Sequence, residues 1–191
     1  MQVFYRYRIV CVILTIATLA AAAPVRAQSL PEPGTWTVTP FLTGSFGTSD
    51  DLGGSLGLGA AVAYDVTPNL AVEGEVGRVF DVAGDEGFVD WSLTNFSANA
   101  VYHFDVVGFT PYATFGLGLE RSSVDADDLP DESLVLLVPS STEVTYNFGG
   151  GVKYRLNATM LVRGDLRRFE ANDTAPDHWR LYVGLTFTVG R

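Results

Sequence analysis

A chain of 191 residues accommodates one ordinary domain, so no attached cell-wall-binding or enzymatic module is expected. Acidic residues outnumber Lys plus Arg by 22 to 12, a formal charge of −10, which argues against nucleic acid because a phosphate-binding surface needs clustered cations. A hydrophobic content of 47% is too high for a disordered chain.

At the N-terminus, Arg6 and Arg8 precede an apolar run from Ile9 to Ala23, and Val25-Arg26-Ala27 fits a small-x-small cleavage site. Residues 1–27 therefore read as a secretory signal peptide; the run falls short of the roughly 20 residues that a spanning helix needs. Cleavage leaves residues 28–191 with 9 basic against 22 acidic side chains, and it removes Cys11, the single cysteine. Cys11 stands at the start of the apolar run, whereas a lipid-modified cysteine would follow it. The exported chain is thus expected to carry neither disulfides nor thiolate metal sites. Residues 28–34 form a short linker and residues 35–191 the domain.

Beyond the linker, helical periodicity is weak and alternation with period two recurs, the mark of strands with two unlike faces. In chain order the runs are Thr35 to Gly47, Ser55 to Val66, Leu70 to Phe80, Trp91 to Phe104, Phe109 to Ser123, Val144 to Leu156, Met160 to Glu170 and His178 to Arg191. The last is the clearest: Trp179, Leu181, Val183, Leu185, Phe187 and Val189 oppose Arg180, Tyr182, Gly184, Thr186, Thr188 and Gly190. Connections alternate between short and long, and all the short ones fall at one end. The pattern predicts an all-β, eight-stranded antiparallel up-and-down barrel.

Whether such a barrel is soluble or transmembrane depends on the direction of its apolar face. The other face is rich in Gly, Thr and Ser and carries Asp65, Glu73, Glu75, Glu120 and Asp165 with Lys153, Arg155, Arg163, Arg167 and Arg180. A water-facing exterior needs neither small residues nor balanced charge, whereas a narrow lumen must be filled and must pair the charge it encloses. The charged face is therefore expected inside, with Glu73 or Glu75 meeting Arg180 or Lys153. Strands of about 10 to 13 residues, tilted by ~45°, cover roughly 25 to 30 Å, the height of an outer-membrane apolar band. Aromatic residues gather near the strand ends: Trp36, Tyr64, Tyr102, Phe104, Phe109 and Tyr154 towards the short turns, and Phe46, Phe80, Trp91, Tyr146 and Trp179 towards the long loops. Two interfacial girdles would look like this.

On these features the chain resembles the OmpA-like transmembrane domain and the wider outer-membrane β-barrel family of Gram-negative bacteria across residues 35–191. The resemblance implies a transmembrane barrel in the cell outer membrane after Sec-type export, inserted by the barrel-assembly machinery and surrounded by outer-membrane lipid and lipopolysaccharide. It implies a monomer with both termini in the periplasm. Members often end in an aromatic residue, whereas this chain ends Phe187-Thr188-Val189-Gly190-Arg191, with Phe187 keeping the outward register.

Little in the sequence points to chemistry. His103 and His178, the two histidines, fall at opposite ends of the barrel, which excludes a shared metal site. Asp177 and His178 with Ser122, Ser123, Ser140 or Ser141 could imitate a rim hydrolase, but no compact motif joins them. Gly57 to Gly59, Gly116 to Gly118 and Gly149 to Gly151 complete no nucleotide fingerprint and are expected to relieve crowding in curved strands. The long connections, with Glu170 at the strand end beside one of them, hold 15 of the 22 acids; the group at Asp125, Asp127, Asp128, Asp131 and Glu132 lacks calcium-hand spacing and reads as solvated loop. Leu134 to Val138, an apolar run in the third long connection, reads as an extension of the hairpin beyond the membrane. Arg78, Arg121 and Arg168 take the outward parity at the long-loop end of odd-numbered strands, where their paired N–H donors would suit lipopolysaccharide phosphates.

No cofactor is implied. The expected role is non-enzymatic, in envelope structure or surface interaction; a small-solute porin-like channel is the first alternative and a lipid-modifying enzyme the second. Detergent-extracted protein should migrate faster in cold SDS gels than after boiling, as a closed barrel does, and equal migration would contradict the barrel.

Overall fold

The computed structural model describes residues 30–47, 55–80, 91–124, 141–171 and 177–190. Eight strands appear in chain order: β1 (Trp36–Gly47), β2 (Ser55–Asp65), β3 (Leu70–Val79), β4 (Trp91–His103), β5 (Thr110–Val124), β6 (Ser141–Arg155), β7 (Met160–Ala171) and β8 (His178–Gly190). Each pairs antiparallel with its sequence neighbours, and β1 pairs with β8 to close the barrel. Closure leaves no sheet edge, the condition for a strand to sit in lipid with its backbone satisfied. The expected boundaries differ from these by one residue at most ends; β6 begins three residues earlier than the apolar alternation suggested, because Ser141 and Thr142 continue the ladder opposite Ser122 and Arg121.

Local chemistry sets the short turns. Thr67 Oγ1 accepts from the backbone N–H groups of Asn69 and Leu70 between β2 and β3, and the Asn69 amide donates to the His103 carbonyl, tying that turn to β4. Asn157 Oδ1 takes the Thr159 N–H in the β6–β7 turn. Between β4 and β5 the chain adopts φ +96° at Gly108, a left-handed conformation that glycine enters without a Cβ penalty.

Alternation along every strand puts the apolar set on the outside. Leu42, Leu58, Val72, Phe96, Phe115, Leu117, Val152 and Leu185 are all exposed, Leu117 at 60%. Of the girdle residues, Trp36 rests on Tyr64 with ring centroids 4.8 Å apart, and Tyr102 meets Phe104 at 5.2 Å. The Trp91 side chain and the connections with most of the acids, including Asp125 to Glu132 and Leu134 to Val138, lie outside what the structure describes, as do residues 1–29 with the signal-peptide and cleavage assignments. An exterior of this kind suits only a lipid environment. Replacing Leu117, midway along β5, with Arg should cost about 2–4 kcal/mol of stability in lipid vesicles. Denaturant unfolding would measure it, and a neutral effect would mean that this face meets water.

Candidate functional site: a charge network filling the lumen

The inner face of β7 carries Arg163, Asp165, Arg167 and Phe169 in alternate positions, so two cations flank one acid along a single strand. Opposite them stand Glu73 and Glu75 of β3. Arg163 donates from Nη1 and Nη2 to the two oxygens of Glu73, the second at 3.1 Å, and from Nε to Asp165 at 2.8 Å. Arg167 spreads its fork over three carboxylates: Asp165 at 2.7 Å, Glu75 at 2.9 Å and Glu73 at 3.1 Å. Two tyrosine hydroxyls complete the tier: Tyr112 donates to Asp165, and Tyr182 donates to Glu75 at 3.0 Å.

Nearer the long loops, Arg180 donates from Nη1 to Asn95 Oδ1 at 2.6 Å and from Nη2 to Glu120. Asn95 and Glu120 lie directly opposite one another on β4 and β5, so one guanidinium bridges a cross-strand pair. At the short-turn end Lys153 Nζ lies 2.9 Å from His103 Nε2. Each of these charged side chains is at least nine-tenths buried, and Arg167 and Arg180 are fully so.

Aromatic rings fill what the charges leave. The guanidinium of Arg167 lies 4.8 Å from the Tyr182 ring, that of Arg180 4.4 Å from Phe169, and that of Arg163 5.1 Å from Tyr112. Cation–π contacts of this desolvated kind contribute about 2 kcal/mol each. Phe41 packs edge-on against Tyr182 at 5.0 Å, and Gly59 makes room for it: a Cβ there would stand 2.5 Å from the ring. On the other side of the lumen Gly116 leaves the space in which Asn147 donates to Asn99 at 3.0 Å.

Of the eight residues assigned to a lumen network, Glu73, Glu75, Glu120, Arg163, Asp165, Arg167 and Arg180 are joined by ion pairs inside the barrel, whereas Lys153 points inward at the short-turn end beside His103, apart from those pairs. The individual partners differ from those expected. Glu73 and Glu75 bind Arg163 and Arg167, while Arg180 is claimed by Glu120 and Asn95. Phe41, Phe169, Leu161, Val79, Leu93 and Val101 are apolar yet buried on the inner face, so apolar character alone does not mark the outer face. Parity alone would have placed Phe169, two residues after Arg167.

The three outward arginines separate into two groups. Arg78 and Arg121 both sit beside Thr94, and Arg121 also faces Thr142, forming a row Arg78-Thr94-Arg121-Thr142 across four neighbouring strands. Arg78 donates to Ser92 Oγ at 3.0 Å and leans on the Phe80 ring. Arg168 is instead held by Asp177 at 2.9 Å and Glu170 at 3.6 Å, over the Trp179 ring. His178 is buried in the lumen, stacked on Phe169 with ring centroids 5.3 Å apart. Asp177 engages the outward Arg168, whereas His178 is turned into the lumen.

Comparison with known proteins agrees with this geometry. The family described as outer membrane protein beta-barrel domain matches residues 12–187, and the chain belongs to that family. Its fold is that of solved outer-membrane barrels. Neisserial surface protein A is 18% identical with a TM-score of 0.63, covering 82% of this chain and 97% of that one. The N-terminal barrel domain of Pseudomonas aeruginosa OprF is 20% identical with a TM-score of 0.57, covering 86% and 100%. Ail, the attachment invasion locus protein of Yersinia pestis, is 12% identical with a TM-score of 0.57, covering 82% and 99%. A sequence search of curated proteins gives no match.

The Arg180–Glu120 pair offers a clean energetic test, since removing one partner strands a buried charge whereas removing both does not. Arg180→Met and Glu120→Met should each cost about 3–5 kcal/mol, and the double variant much less than their sum. Unfolding in lipid vesicles reads the cycle; additive costs would show that the two side chains do not bond.

Proposed function

We propose that the protein is a non-enzymatic outer-membrane barrel that keeps its lumen shut and acts through its surfaces, with its short turns and both termini in the periplasm and its long acidic loops outside. The observation that carries this reading is the lumen itself. Arg163, Arg167 and Arg180 cross it in two tiers, bonded to carboxylates on the far side, and rings occupy the remaining section. In an eight-stranded barrel the interior is just wide enough for side chains, so bonded tiers leave no continuous water path. This argues against the porin-like alternative.

At the long-loop end, the row through Arg78 and Arg121 is suited to lipopolysaccharide. Two strand spacings separate these arginines, about 10 Å, with the Thr94 hydroxyl between them. Phosphates bound to lipid A would meet planar N–H forks at the membrane edge, where outward arginine is tolerated. Arg168 contributes less, because Asp177 and Glu170 already offset its charge. Among the structural relatives, Ail is described as an attachment protein. A surface-interaction role here is in keeping with acidic outer loops, which would select cationic or metal-bridged partners rather than anionic glycans.

Purified protein in planar bilayers should give no stable current steps, and sustained conductance would contradict the closed lumen. The double variant Arg78→Gln, Arg121→Gln should lose most of the lipopolysaccharide that co-purifies with wild type, whereas Arg168→Gln should retain it. Equal retention in all three would remove the phosphate role.

A further inference from the structure

The short-turn end of the barrel opens into a cavity of about 320 Å³, at the lower limit of small-molecule sites. Its walls include Asp65 from β2, Lys153 and Arg155 from β6, Leu161 from β7 and Leu30 from the N-terminal segment. That segment is fixed over the mouth by backbone bonds, Gly34 N–H to the Asp65 carbonyl at 2.7 Å and Asp65 N–H to the Thr35 carbonyl at 3.0 Å. The cavity is therefore a built feature of the fold.

Its charges are arranged unlike those of the tiers above. Arg163, Arg167 and Arg180 all contact carboxylates, whereas Lys153 and Asp65 take no part in the ion pairs of the described residues. Lys153 Nζ touches the His103 imidazole at 2.9 Å and faces the Tyr112 ring at 5.3 Å. Two acids, Glu32 and Asp65, and two bases, Lys153 and Arg155, thus line one small cavity, and among the described residues nothing joins Asp65 to Lys153. Burying two opposite charges without contact is costly, and a ligand that bonds to both recovers that cost.

We propose that this cavity binds a small zwitterion, its carboxylate on Lys153 with Arg155 at the mouth, its ammonium on Asp65, and a short aliphatic body against Leu161 and Leu30. The ligand adds no net charge, so the balance of the lumen is undisturbed. On the orientation proposed above the cavity faces the periplasm, and the solute would come from there; binding itself does not depend on that orientation.

Calorimetric titration of the detergent-purified protein tests the site with three probes of like shape: L-valine, 3-methylbutanoate and isobutylamine. Valine should give saturable binding, and the two single-charge probes should bind at least about tenfold more weakly. Asp65→Asn should weaken valine by a similar factor and leave 3-methylbutanoate unchanged. Leu161→Trp, which fills the cavity while keeping every charge, should abolish valine binding. Heat-modifiable migration shows that each variant is folded. Absence of saturation at tens of millimolar valine would overturn the proposal. So would 3-methylbutanoate binding as tightly as valine, or valine binding untouched in folded Asp65→Asn and Leu161→Trp. Lipopolysaccharide retention and bilayer conductance in the same preparations report separately on the proposed function.

Discussion

A carboxylate or guanidinium taken out of water needs its opposite within bonding distance; Asp165 finds two on its own strand, but the glutamates of β3 and β5 must reach across the lumen for theirs. Eight strands enclose a space the width of two facing side chains. Glu73 and Glu75 on β3 therefore need Arg163 and Arg167 on β7, and Glu120 needs Arg180. These bonds run across the lumen at right angles to the wall ladder, so they fix the cross-section much as rivets would. On the function proposed above they also keep the lumen closed, and the exterior of Leu, Val and Phe follows from the same alternation that turned the charges inward.

The sequence carried the architecture because period two is unambiguous over runs of ten or more residues. In β8 the outward Leu181, Val183 and Leu185 alternate with Arg180, Tyr182 and Gly184, and each adopts the predicted side. Partner choice across the lumen was not legible in the same way. Neighbouring strands declare their register through turns, whereas β3 and β7 are far apart around the barrel and meet only through its tilt and stagger. Glu75 was expected to reach Arg180 or Lys153. Arg180 instead bridges Asn95 and Glu120 nearer the long-loop end, and Lys153 stays at the opposite end beside His103. The inward rings were hidden for another reason: Phe41 and Phe169 are apolar yet belong to the lumen, where Arg180 lies over the Phe169 ring and Phe41 packs edge-on against Tyr182.

Both proposed binding places lie where this constraint is relaxed, because the middle of the barrel is spent on mutual neutralisation. At the long-loop end, Arg78 and Arg121 flank Thr94 across neighbouring strands. At the short-turn end, Asp65 and Lys153 line a cavity without closing on one another. Both places have charge directed away from the internal network, and both are absent from the motif vocabulary of a linear sequence because their members lie on different strands.

The direction in which the two faces point is the claim on which all else rests, and nitroxide accessibility measures it most directly. Single cysteines at Leu117, Leu185 and Thr114, spin-labelled in lipid vesicles, should divide cleanly. Labels at Leu117 and Leu185 should collide readily with oxygen dissolved in the bilayer and scarcely with a water-soluble nickel chelate, while the label at Thr114 should be shielded from both. High nickel accessibility at Leu117 and Leu185, with strong oxygen collision at Thr114, would contradict the account.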